Sequence, residues 1–233
     1  MGLRPAKCAP MFDRERTDVA DACRQLAEEG LVIGTAGNVS ARAGDNEVAI
    51  SPTGAVLGEL TPEQVTVVDM KGTVVAGDLE PTSEIDLHLG VYERYGAGAV
   101  VHTHAPMATA LSCVLDELPC VHYQMLLLGG AVPVARYETF GTPQLATVVL
   151  DALEGRNTAL MANHGAITHA PDMAAAIENA LLLEWACTVY WRAAAIGSPN
   201  VLDDAQRQAV VAAAVERGYG STRRVERDSE EGE

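Results

Sequence analysis

Residues 98–104 read GAVVHTH, and residues 158–165 read TALMANHG. Both runs are rich in small and β-branched apolar residues, which predicts two strands. In a strand, residues two apart point to the same face. His102 and His104 therefore aim two imidazoles at one point. That arrangement suits a metal ion, since neutral imidazole is the commonest ligand for zinc and its neighbours. It suits equally two histidines on a solvated strand end. The second run ends in Asn163-His164-Gly165, where Gly165 permits a sharp turn. His164 is either an ordinary turn histidine or the third ligand of a three-histidine site with an open position.

Outward from these strands, helices and strands interleave. An apolar stripe of Val19, Ala20, Cys23, Leu26 and Ala27 predicts a helix over 13–29, capped by Asp13 and ended by Gly30. GTAGNVSAR (34–42) is a glycine-bearing turn running into a strand, and NEVAISPTG (46–54) alternates before another turn. Thr61 caps a turn with Pro62 at its first helical position and Gln64 three residues on. QVTVVDM and TVVAG flank Lys71-Gly72 as a hairpin. Glu84–Tyr95 reads as a helix with Thr82 or Ser83 at its cap, and 132–137 as a strand. Thr142, Asp172 and Asp203 open helices to about 153, 196 and 217. Hairpins and short connections are frequent. The expected fold is therefore a single α/β domain over 1–220 whose central sheet is mixed and largely antiparallel. The tail STRRVERDSEEGE (221–233) is polar and expected to be mobile.

The composition narrows the function. Of 233 residues, 48% are hydrophobic and 21% charged, which is ordinary for a globular chain. The formal net charge of −16 argues against a nucleic-acid backbone or an anionic membrane as partner. Two windows without charge, 95–115 and 118–135, are long enough for membrane spans. Their prolines, glycines and histidines read instead as strand, turn and helix. The N-terminal residues lack the apolar core of a signal peptide. Five cysteines without a CxxC pair point to no disulfide framework and to a reducing cytoplasm.

Glu84 lies in GDLEPTSEIDLHLG, after Pro81. A helix N-terminus with free N–H groups and the hydroxyls of Thr82 and Ser83 can hold an anion, or can be a plain cap with an acidic first turn. His88, four residues on, reads as packing or as support for the site. The turns Thr35-Ala36-Gly37-Asn38 and Ser51-Pro52-Thr53-Gly54 add N–H groups, hydroxyls and an amide, from which a phosphate cradle without lysine can be built.

Together GTAGNVS, SPTG, PTSE, VVHTH, the His122-Tyr123 pair, TFGT (139–142) and NHG resemble, in order and spacing, the class II aldolase/adducin family, in particular its L-fuculose-1-phosphate aldolases. The resemblance runs from about residue 13 to 220. It implies a three-layer α/β/α subunit in a homotetramer with active sites shared between subunits. It implies zinc, or another divalent metal, on His102, His104 and His164. Glu84 matches the family's acid/base, which can also ligate the metal. Asn38, Thr53, Gly54, Thr82 and Ser83 match phosphate-binding positions. Tyr123 matches a proton donor lent by a neighbouring subunit, and Tyr219 a further tyrosine near the site. Thr82 departs from the family's usual serine but keeps the hydroxyl.

The implied reaction cleaves a phosphorylated ketose between C3 and C4, to dihydroxyacetone phosphate and an aldehyde. A Schiff-base lysine is discounted, since Lys7 and Lys71 are the chain's only lysines and neither is a plausible buried amine. The resemblance gives the other route, a zinc-stabilised enediolate. Within the same family, sugar-phosphate epimerases carry aspartate at the position of Glu84, so glutamate leans toward the aldolase. A methylthioribulose-1-phosphate dehydratase also uses glutamate. Adducin-like members are non-catalytic interaction modules and have no need of the three histidines with the acid.

Overall fold

A computed structural model describes residues 12–220. They fall into two compact units, one up to Val201 and one from Leu202. The first carries α1 (Asp13–Glu28), β1 (Asn38–Arg42), β2 (Glu47–Ile50), β3 (Thr66–Asp69), β4 (Val74–Ala76), α2 (Ile85–Tyr95) and β5 (Ala99–Thr103). It continues through α3 (Pro106–Ser112), β6 (Glu117–Leu118), β7 (Val132–Ala135), α4 (Pro143–Ala152), β8 (Thr158–Met161), β9 (Gly165–Ala170) and α5 (Met173–Ile196).

The strands form one sheet in the order β4-β3-β2-β1-β5-β9-β8-β7-β6. β7 and β8 run parallel, and the other neighbours are antiparallel. This is the mixed, largely antiparallel sheet the sequence predicts. Helices cover both faces. α2 and α4 pack on one, where Leu87, Val91, Leu145 and Val149 close over Ile50, Val100, Met161 and Ile167. On the other, α5 lies against β5 and β9, flanked by α1 and α3. Each such buried aliphatic side chain contributes about 1.5–3 kcal/mol.

Most helix starts lie where their caps predict. Thr142 Oγ1 accepts the Leu145 N–H, and Asp172 Oδ1 accepts that of Ala175. Two differ. Phe12, with φ 73°, takes the cap position of α1, and Asp13 sits in the first turn. Glu84 takes the cap position of α2, one residue beyond the expected caps. The Thr82 N–H is tied to the Ser51 carbonyl, and its Oγ1 accepts the Glu84 N–H, so the chain is still in a tight turn there. The run 158–165 is also not one strand. β8 stops at Met161, a turn reverses the chain with Asn163 in the left-handed region (φ 55°), and β9 returns as a strand that the sequence reading missed.

The second unit contains α6 (Asp204–Arg217). Asp203 and Gln206 cap it reciprocally, and Gly218 ends it, as expected. The tail 221–233 lies outside the described residues. No helix among the described residues is long and apolar enough to cross a membrane.

Candidate metal and substrate site

β5 runs through the middle of the sheet and delivers His102, fully buried, and His104 just past its end. His164 arrives from the β8–β9 turn. A Cβ on Gly165 would lie 2.3 Å from the Thr103 carbonyl oxygen and 3.1 Å from His104 Cδ2. Only glycine lets this turn approach β5 so closely, and that approach sets His164 beside His104. The three rings then stand edge-on, every pair of centroids 4.9 Å apart. Their ligand nitrogens all lie within 4.8 Å of one another, with His102 Nε2 and His104 Nε2 3.0 Å apart.

The protonation pattern suits a cation. His102 Nδ1 lies 2.9 Å from the Ala166 carbonyl, which can only accept, so Nδ1 carries a proton and Nε2 is the nitrogen turned toward His104. Burial, with His102 close by, pushes His104 and His164 down to about 4, which leaves both neutral near pH 7. Glu84 Oε2 sits 3.2 Å from His102 Nε2, and Oε1 sits 3.6 Å from His164 Nε2. Oε1 is buried without a hydrogen-bond partner. Burial raises the Glu84 carboxyl, but His102, the Asn38 amide and His164 outweigh it and hold it below the usual range. A buried carboxylate facing converging lone pairs is unfavourable unless a positive charge lies among them. Three imidazoles and one carboxylate oxygen fit a divalent metal ion.

A pocket of about 370 Å³ opens beside these groups. Glu84, His104 and His164 line it, and so do Asn38, Thr53, Gly54, Thr82 and Ser83. The turn before β1 passes close enough to β5 that a Cβ on Gly37 (φ 104°) would lie 2.8 Å from the His102 carbonyl oxygen. The N–H groups of Thr53 and Thr82 are already bonded to the carbonyls of Glu80 and Ser51. The hydroxyls of Thr53, Thr82 and Ser83 remain to face an anion. No lysine or arginine is among the lining residues described. Lys71 is exposed in the β3–β4 turn, and Lys7 lies outside the described residues.

Three expected positions stand apart. His102 is behind the pocket wall rather than on it. Tyr123 does not line the pocket of its own chain; its ring lies against His122, 4.5 Å between centroids, at the start of a 3-10 turn. Tyr219 belongs to the second unit, just past α6. Asn38 lines the pocket, but its side-chain amide is engaged by Glu84 and His88. Four further lining residues were assigned no role from the sequence, although Phe140 and Asn163 lie in the TFGT and NHG runs: Tyr137, Glu138, Phe140 and Asn163. The signal for them is topological. β7 and β8 are parallel, so the segments that follow them emerge on the same edge of the sheet.

Known proteins share this architecture. The family model described as Class II Aldolase and Adducin N-terminal domain matches residues 17–191. The 5-methylthioribulose-1-phosphate/5-deoxyribulose-1-phosphate aldolase of Rhodospirillum rubrum is 40% identical over 189 residues, 80% of this chain and 85% of that protein. The 5-deoxy-D-ribulose 1-phosphate aldolase of Bacillus thuringiensis is 36% identical over 196 residues, 83% of this chain and 92% of that protein. A solved L-fuculose 1-phosphate aldolase superposes with a TM-score of 0.82 at 32% identity, covering 88% of this chain and 97% of its own. The chain belongs to the class II aldolase and adducin family.

Proposed function

We propose that the protein is a metal-dependent aldolase that reversibly cleaves a ketose 1-phosphate between C3 and C4 to dihydroxyacetone phosphate and an aldehyde. The observation that carries this reading is the convergence of three imidazoles and the Glu84 carboxylate at one end of a pocket lined elsewhere by hydroxyls. His102, His104 and His164 hold the metal, and three imidazoles favour zinc. When bound, it supplies the Lewis acidity that offsets charge developing on the ketose carbons as the bond breaks.

The chain's own groups do the rest. The hydroxyls of Thr53, Thr82 and Ser83, with Gly54 and Asn38 beside them, seat the phosphate. Glu84 Oε1 returns a proton to C3 after cleavage, and removes it in the condensation direction. Tyr123 of a neighbouring subunit takes the proton of the C4 hydroxyl as the aldehyde departs. That role requires an oligomer with shared sites, taken here as a homotetramer, and Tyr219 is read as a further substrate-binding residue. The protein works in the cytoplasm. Exposed rings of Tyr137 and Phe140 at the pocket favour a short aldehyde ending in an apolar carbon. The 5-deoxyribulose and L-fuculose 1-phosphates named for the relatives would both release such an aldehyde on cleavage between C3 and C4.

A panel of ketose 1-phosphates, assayed for dihydroxyacetone phosphate with and without chelator, tests this. Chelator-sensitive release is expected. Consumption of substrate without dihydroxyacetone phosphate would replace the aldolase by an epimerase or dehydratase, and a metal-free, inactive protein would favour an interaction module.

A further inference from the structure

Beneath Glu84 runs a chain of buried polar groups. Glu84, His88 and Tyr92 succeed one another at four-residue spacing from the cap of α2 onward, on one face of the helix. Asn38 and Ser40, two apart on β1, face them. Asn38 Nδ2 donates to Glu84 Oε2 at 2.9 Å, and Asn38 Oδ1 meets His88 Nε2. His88 Nδ1 lies 2.6 Å from Ser40 Oγ, which lies 2.8 Å from Tyr92 Oη. His88, Ser40 and Asn38 are all 5% exposed or less.

The direction of every bond follows from one end. An ionised Glu84 can only accept, so the Asn38 NH₂ faces it and the amide oxygen faces His88. His88 Nε2 must then carry the proton. With no carboxylate bonded to its ring and no exposure to water, the imidazole stays neutral, and Nδ1 accepts from the Ser40 hydroxyl. Ser40 has one hydrogen to give, so Tyr92 donates to Ser40. The polarity of the chain is uniform, Tyr92 to Ser40 to His88 to Asn38 to Glu84.

We propose that His88 and Ser40 are positioning residues that lock the Asn38 amide against Glu84 Oε2, leaving Oε1 as the oxygen that handles the substrate proton. Oε1 is the oxygen with no hydrogen-bond partner. This rests on the acid/base role proposed for Glu84. Without His88, the Asn38 amide is free to turn over and present its oxygen to the carboxylate, which would repel Glu84 from its working position.

Two experiments test it on the full-length, metal-loaded protein. In ¹⁵N-histidine-labelled protein, His88 should show the neutral Nε2–H tautomer, unchanged when substrate is absent. A proton on Nδ1, or on both nitrogens near pH 7, would overturn the proposal. In kinetics, His88→Leu should lower kcat about 10- to 100-fold with KM within about twofold, equivalent to about 1.4–2.7 kcal/mol. His88→Gln, which keeps an N–H for Asn38 and an oxygen for Ser40, should recover kcat to within about threefold. Ser40→Ala, a smaller change, should lower kcat a few-fold. Equal kcat per metal-loaded molecule in all three variants would leave His88 a packing residue. If Glu84→Gln is also fully active, the role of Glu84 fails; if it is inactive while the three variants are normal, only the positioning proposal fails.

Discussion

The two ends of the pocket are built on different physical plans. At one end, three imidazoles and a carboxylate, His102 and Glu84 buried and His104 and His164 half-buried, are fixed by regular structure: a central strand, a glycine-tight hairpin and the cap of a helix. At the other, the groups come from turns, 35–38, 51–54 and 81–83, and are hydroxyls and backbone. The first concentrates charge at one point, where burial makes it strong and unforgiving. The second spreads a weaker attraction over several neutral donors, any one of which can be lost at modest cost. An acidic chain with no lysine or arginine among the described lining residues thus offers an anion neutral donors instead.

The comparison makes the two ends break differently. His102→Ala removes the most buried of the three nitrogens and should abolish metal retention, measured by elemental analysis, with activity down about 10³-fold or more. A variant that keeps stoichiometric metal would separate the imidazoles from the metal site. Gly165→Ala drives a methyl into the Thr103 carbonyl and should destabilise the protein by about 2–4 kcal/mol in denaturant titration, with weaker metal binding. Full stability would mean that the hairpin is less constrained than its geometry indicates.

Ser83→Ala should act at the other end only. KM for the phosphorylated substrate should rise about 5- to 10-fold with metal content and kcat near normal. A collapse of kcat instead would merge the two ends into one functional unit. A further effect concerns pH. Burial pushes His88 down from 6.5 to about 3, so between those values the unfolded chain binds a proton that the folded one does not. Its contribution to stability is therefore complete above pH 6.5 and is lost on acidification. In metal-free protein, about 2–3 kcal/mol of the wild type's loss between pH 7 and 4.5 should be absent from His88→Gln. Parallel curves for the two would show that His88 is not held neutral.

Much of this was legible in the chain. The His-x-His of β5 declares itself because strand periodicity alone puts both rings on one side. The helix caps at Thr142, Asp172 and Asp203 are local signals and fall in place. What escaped is non-local. The turn at Asn163-His164-Gly165 is announced by its glycine, but β9 was hidden because the turn runs straight into it, with Gly165 already its first residue. Tyr137 and Phe140 reach the pocket only because β7 and β8 are parallel neighbours. His88 was recognised as a companion of Glu84, but its partners Asn38 and Ser40 lie about 50 residues away. Their common direction appears only once β1 and α2 face each other.

The central claim is that the metal end with Glu84 moves the C3 proton of a three-carbon phosphate, whatever the aldehyde. It can be tested without knowing the sugar. Metal-loaded protein incubated with dihydroxyacetone phosphate alone in D₂O should exchange one of the two C3 hydrogens for deuterium, as followed by proton NMR. The exchange should stop with chelator and fall by about 10²-fold or more in Glu84→Gln that still holds its metal. Absence of exchange by the metal-loaded wild type, or undiminished exchange in Glu84→Gln, would contradict the account.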